Sequence, residues 1–189
     1  MLPFSNARRE SRVKLRRRPL AAIVTHPMII EQIFTSPGHN YFGHYGQAAG
    51  EFPFQESPEI ECVAGHGIRG DRYFDYKDDY QGQVTFFSRE VFDDLARELA
   101  LTTKSPGVLR RNVIVSGVDL NELIGVEFEL QGVQFRGSQH CKPCDWMNLA
   151  FAPGTEPFLR AGKGGLRARI LTDGRLQLGD AQLKVRQIA

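Results

Sequence analysis

The stretch Val126–Arg136, "VEFELQGVQFR", carries the reading of the fold. Val126, Phe128 and Leu130 alternate with acids before Gln131-Gly132, and Val133 and Phe135 continue the alternation after it. A period of two puts these side chains on one face of an extended chain, and a two-residue connection ending in glycine is a hairpin turn. A hairpin with one apolar face is marginal alone and needs more sheet to cover it. The sequence offers that sheet on both sides. Leu166–Leu171 and Leu176–Val185 read as a second strand pair, turning at Thr172-Asp173-Gly174 and interrupted at Gly179-Asp180. Further strands are expected at Leu20–Ile30, with Pro27 marking an edge or an end, and at Glu59–Ala64, Gln83–Phe87 and Asn112–Ser116. Only "SREVFDDLARELAL", from Ser88, has a clear helical period, with Val91, Phe92, Leu95 and Leu99 on one face and Ser88 as its cap. Pro106-Gly107 ends that unit. Many short strands, little helix and 19 glycines point to a mainly β fold, a closed or nearly closed β-barrel with a few helical insertions.

Length and composition agree with one such barrel. The chain has 189 residues, 41% of them hydrophobic and 24% charged, as in an ordinary globular protein with one full core. We expect a single domain over 19–189, with no internal repeat. Its net charge of +2 is unevenly spread. Seven basic residues against the single acid Glu10 lie between Asn6 and Arg18, so 1–18 reads as a basic, solvated arm and the rest as mildly acidic. Such an arm does not define a specific nucleic-acid partner. No run of apolar residues is long enough for a transmembrane segment and no signal-peptide core is visible, so a reducing, cytoplasmic setting is expected. Residues 34–59, rich in glycine, proline and aromatics, form a long connection without period, expected to be an ordered loop or lid. His39 and His44 lie in it, without metal-ligand spacing.

The chemistry concentrates in "SQHCKPCDWMN", Ser138–Asn148, with two of the three cysteines and the only tryptophan. Three cysteines exclude a four-cysteine zinc site within one chain, and a lone CxxC without a βαβ unit argues against a thioredoxin-like pair. The remaining functional option is one working thiolate, beside the plain alternative of a small buried residue. Pro143 stiffens the approach to Cys144, and the following "CDWMNLAF" reads as a helix start whose N-terminus favours a thiolate. Cys62, in an expected strand, reads as a buried core residue. Two other clusters have the composition of an anion site. "GHGIRGDRY", Gly65–Tyr73, offers glycines for close backbone approach with His66, Arg69, Asp71 and Arg72, and equally fits a charged turn closed by an Arg–Asp pair. In "VLRRNVIVSGVDL", Arg110, Arg111 and Asn112 sit where a strand begins.

Taken in order, "GHGIRGDRY", "GQVTFFSRE", "PGVLRRNVIVSGVDLNELIG", "CKPC" and "GLRARILTDGRLQLGD" resemble the MOSC domain, the family named for the C-terminal domain of molybdenum cofactor sulfurases. The resemblance runs from about Pro19 to Val185 and is that of a stand-alone bacterial-type protein. It implies a barrel of the pyruvate-kinase type and a cysteine that ligates molybdenum or carries persulfide sulfur. It places that cysteine at Cys144, the cofactor-holding Arg-x-Asn pair at Arg110 and Asn112, and a pocket contribution at Gly70, Asp71 and Arg72.

On this basis the expected function is binding of the molybdenum cofactor, a phosphorylated pterin (molybdopterin), with Cys144 as metal ligand and N-hydroxylated compounds as substrates. Arg110, Arg72 or Arg69 would meet the phosphate and Asn112 the pterin edge; His66 and Asp71 are further candidates. The alternative is a sulfur carrier, with Cys144 accepting persulfide sulfur from a PLP-dependent cysteine desulfurase and Cys141 resolving it. A third reading is a non-catalytic cofactor-binding module. A redox donor or a desulfurase is the expected protein partner, and no PLP is expected in this chain.

Overall fold

The computed structural model describes residues 22–44, 46–101 and 103–187. The basic arm 1–18 lies outside the described residues, as do the first two residues of the expected opening strand.

In chain order the strands are β1 (Ala22–Thr35), β2 (Gln55–Glu56), β3 (Glu59–Val63), β4 (Gly67–Ile68), β5 (Val84–Ser88), β6 (Val113–Ser116), β7 (Glu127–Leu130), β8 (Val133–His140), β9 (Leu166–Ile170), β10 (Gly174–Gln177) and β11 (Gly179–Gln187). The helices are α1 (Arg89–Glu98), α2 (Trp146–Ala150) and α3 (Thr155–Leu159), with 3-10 turns at Pro106–Leu109 and Leu120–Leu123. Seven strands form a closed, mixed barrel in the order β11-β7-β8-β9-β5-β6-β1, β1 returning to β11. The β5–β6 pair is parallel and the others antiparallel. Closure pairs most of the barrel's edge groups, leaving one flank of the start of β1 as the open stretch among the described residues.

The hairpin forms as its sequence dictates. Phe128 pairs directly with Phe135, their rings stacked at 5.4 Å, and Phe86 of β5 packs edge-on to both. Gln131 (φ 49°) and Gly132 (φ 82°) are both left-handed, the geometry of the tight turn that matches strand twist. β5 is buried along almost its whole length because it has a core on each side. Val84 and Phe86 face the barrel interior, while Phe87 joins Phe92, Leu95, Leu109, Ile114, Met147 and Phe151 in a second core under the helices. Ser88 caps α1, accepting from Val91 N at 3.1 Å.

The second strand pair differs from expectation. β9 pairs with β8 and β5, β10 crosses to β3 in a small separate sheet, and β11 closes the barrel against β7 and β1. Alternation specifies which face is buried but not which neighbour is chosen. β1 is longer than expected, and Pro27 sits in it opposite Gln182. β6 joins β1 only from Ile29 onward, so the proline lies where one flank of β1 has no strand neighbour.

Candidate functional site

One buried carboxylate organises the mouth of the barrel. Asp71 Oδ2 accepts from Ser36 N at 3.1 Å, from Arg72 Nη1 at 3.2 Å and from Asn112 Nδ2 at 3.2 Å, while Oδ1 accepts from Tyr73 N at 3.1 Å. Asn112 is equally committed. Its Oδ1 accepts from Thr85 N and Oγ1 at 3.1 and 2.8 Å, and its Nδ2 also reaches the Phe34 carbonyl at 3.2 Å. A buried polar network with every partner met fixes its members in one arrangement.

That arrangement aims two arginines. Arg72 Nη2 donates to the Arg110 carbonyl at 3.0 Å, and its guanidinium lies 4.9 Å from the centre of the Tyr73 ring. Arg110, in a left-handed conformation (φ 56°), turns its side chain onto the 34–59 connection. It donates to Ser36 Oγ at 2.7 Å, the Gly38 carbonyl at 2.6 Å and the Phe52 carbonyl at 3.2 Å. Burial, helped by neighbouring Arg72, pulls its pKa down to about 10, which still leaves a cation at neutral pH. The connection is thereby an ordered loop packed on the barrel. Phe54 wedges edge-on to Phe34, 5.4 Å away, over Gly107.

Beside this clamp opens a cavity of about 290 Å³. Cys144 lies on its wall and is exposed, whereas Cys141 and Cys62 are buried; all three are free thiols. Five cations line it, Arg72, Arg110, Arg111, Lys142 and Arg167, and no carboxylate does among the described residues. Arg111 is held by the Gly164 and Leu109 carbonyls, both at 3.0 Å. The loop contributes His39, Asn40, Tyr41 and Phe42, and Tyr41 stacks on Trp146 at 5.0 Å. His39 packs edge-on to Tyr73 at 4.9 Å. Burial, then the charges of Arg72 and Arg110, lower its pKa, with Asp71 opposing. Burial raises the Tyr41 pKa; Cys144 adds to the rise and Arg110 opposes it.

Of the residues singled out in the sequence, Cys144, Arg110 and Arg72 meet in this cavity. Asp71 and Asn112 stand behind it as buried supports, 6% and 3% exposed. His66 and Arg69 do not join them. His66 Nδ1 contacts Asp75 at 2.5 Å and Arg69 pairs with Glu61 at 2.9 Å, both exposed and outside the cavity wall. Cys141, at 2% exposure, is packed beneath the surface. The helix expected after Cys144 is the single turn α2, too short for the aligned peptides that a helix-terminus argument requires. Sequence reasoning missed Lys142, Arg167, Tyr41 and Trp146 as wall residues. Arg167 had a signal: it alternates with Leu166 and Ala168, which face the barrel core.

Among the described residues no three His, Cys, Asp or Glu side chains gather as a metal site, so a metal held by protein ligands alone finds no cage. A cofactor that brings its own metal ligands needs one soft donor, cations for its phosphate and room for a flat ring. Cys144, the five cations and the aromatic wall meet those requirements.

Comparisons with known proteins bear on the fold and the family. No curated protein matches the sequence. Among solved structures, the YuaD protein from Bacillus subtilis superposes with a TM-score of 0.67 at 17% identity, over 87% of this chain and 99% of that one. YiiM from Geobacillus stearothermophilus gives 0.61 at 15% identity, over 85% and 75% of the two chains. YiiM from Escherichia coli gives 0.58 at 17%, over 88% and 71%. These likenesses establish the shared fold. The sequence profile of the MOSC domain matches residues 54–182, more than half of the chain, and the chain belongs to the MOSC domain family.

Proposed function

We propose that the cavity beside Cys144 binds the molybdenum cofactor, with the Cys144 thiolate as the protein's metal ligand, and that the loaded protein reduces N-hydroxylated compounds. The observation that carries this is an exposed thiol in a cavity walled by five cations and, among the described residues, no carboxylate. A phosphorylated pterin is an anion with a flat ring, and such a wall attracts the one and accommodates the other. When bound, the cofactor supplies two-electron oxygen-removing chemistry. The chain's own residues do the rest. Lys142, Arg111 and Arg167 would meet the phosphate, and Arg72 and Arg110 would add positive potential while holding the loop. Tyr41 and Trp146 offer ring faces, and Asn112 and Asp71 act by keeping Arg72 in place. His66 and Arg69 take no part in this reading.

The electrons would come from a separate redox protein. All of this fits a reducing, cytoplasmic compartment. PLP has no role in the chain's own chemistry. Turnover decides between a reductase and a non-catalytic cofactor-binding module. Protein from a cofactor-competent host should reduce an aryl hydroxylamine to the amine with a chemical electron donor, and Cys144→Ser should not. Metal-loaded protein with no turnover would leave a binding module.

Sulfur transfer is the second reading, favoured by the exposure of Cys144 alone. Cys141, at 2% exposure, is poorly placed to resolve a persulfide, so the sulfur would leave to an external acceptor. Persulfide on Cys144 after incubation with a cysteine desulfurase, in metal-free protein, would favour this reading.

A further inference from the structure

We infer that His39 is the proton donor of the site, touching the N-hydroxyl oxygen of the bound substrate. The inference rests on the reductase reading above and adds to it the group that supplies acid. Reduction of R–NH–OH to R–NH2 and water breaks the N–O bond and consumes two electrons and two protons. The electrons come from a reduced flavin or iron–sulfur protein. One proton goes to the departing oxygen, which leaves as water, and the other to nitrogen. A departing hydroxide without a proton is a poor leaving group, so a positioned acid is needed where the oxygen lies.

The cavity wall offers few candidates. No carboxylate lines it among the described residues. Guanidinium and ammonium groups are ordinarily too weak as acids for this step, as are phenols, and burial raises the Tyr41 pKa further. Cys144 is committed to the metal. His39 is the one remaining group whose ordinary pKa lies near neutrality. Its ring is held in place, edge-on to Tyr73 at 4.9 Å and tilted against Phe42 at 5.4 Å, and makes no hydrogen bond among the described residues. Among the described residues its nitrogens are uncommitted. The groups facing it are Arg72 and Arg110, which favour the neutral ring, and Asp71, which opposes them. Burial works with the arginines. An imidazolium in such surroundings is a stronger acid than a free one and yields its proton readily. His39 lies in the 34–59 loop, ahead of residues 54–182, where the family profile matches.

The test uses the molybdenum-loaded full chain and its His39→Gln variant. We expect equal molybdenum and pterin content and a kcat for an aryl hydroxylamine lowered by about 100-fold. Added imidazole should restore part of it, and the limb of the pH–rate profile that rises toward low pH should be lost. In ¹⁵N-histidine NMR, the signal absent from the variant should titrate below the ordinary histidine range and move when the hydroxylamine is added. A fully loaded variant that turns over like wild type overturns the assignment. So does loss of activity without imidazole rescue and with an unchanged pH profile, which marks a structural role. A histidine signal indifferent to the hydroxylamine also overturns it. If loaded wild type reduces no hydroxylamine, the reductase reading itself fails and takes this assignment with it.

Discussion

Asn112 Nδ2 donates to Asp71 Oδ2 at 3.2 Å, joining two buried side chains 41 residues apart. One comes from the glycine-rich turn after β4 and the other from the start of β6. Through this contact the two sequence clusters become one support for Arg72, and Arg72 in turn holds the Arg110 carbonyl. Asn112→Ala leaves Asp71, Thr85 and Phe34 each short of a partner. We expect a loss of about 1–3 kcal/mol in chemical denaturation. A variant as stable as wild type would show that the network is dispensable.

Arg110 is the latch of the 34–59 loop, with three acceptors on Ser36, Gly38 and Phe52. Arg110→Ala should free the loop while the barrel stays folded. Limited chymotrypsin digestion should then cut near Tyr41 and Phe42 at least several-fold faster than in wild type. Arg110→Lys should restore little, because a single ammonium cannot span those acceptors as the guanidinium fork does.

Gly107 lies under Phe54, and a Cβ there would stand 2.1 Å from the ring. Gly107→Ala should cost about 1–3 kcal/mol, as overpacking does. Combining it with Phe54→Ala should be less damaging than the sum of the two changes, because the clash disappears with the ring. A full-sized, additive penalty would place the strain elsewhere.

Cys62 and Cys144 should differ sharply toward alkylating agents. Burial, with a contribution from Glu61, pushes the Cys62 thiol up to about 12, while Cys144 is exposed. Iodoacetamide on the native protein at pH 8 should label Cys144 and spare Cys62, as read by mass spectrometry. The same shift has a pH signature in stability. A thiol whose folded pKa is raised from 9.0 contributes stability that is complete below pH 9 and is lost as pH rises toward about 12. Wild type should therefore lose more stability than Cys62→Ala between pH 8 and 10.5.

How far these relationships were legible in the sequence depends on their range. The Val126–Arg136 hairpin is local: alternation and Gln131-Gly132 carry all that is needed. The cap of α1 is local as well. The partners of β9, β10 and β11 are not, because closing a barrel is decided by the fit of the whole sheet and not by any turn. At the site, Cys144, Arg72 and Arg110 are marked by residue type. Lys142 and Trp146 flank Cys144 in the Ser138–Asn148 stretch, whereas Tyr41 and Arg167 come to the same cavity from the 34–59 loop and from β9, a meeting of distant segments that no local pattern announces. Asn112, which the resemblance sets beside the cofactor, is a buried strut bonded to Asp71. His66 and Arg69 share a motif with Arg72 but point to partners outside the cavity.

The measurement that most directly tests the central claim is metal and pterin analysis of protein made in a molybdenum-cofactor-competent host, wild type beside Cys144→Ser. The account predicts near-stoichiometric molybdenum with an oxidisable, fluorescent pterin in wild type, and loss of the metal from the variant. Molybdenum retained in full by Cys144→Ser, or no metal and no pterin in either protein, would contradict it.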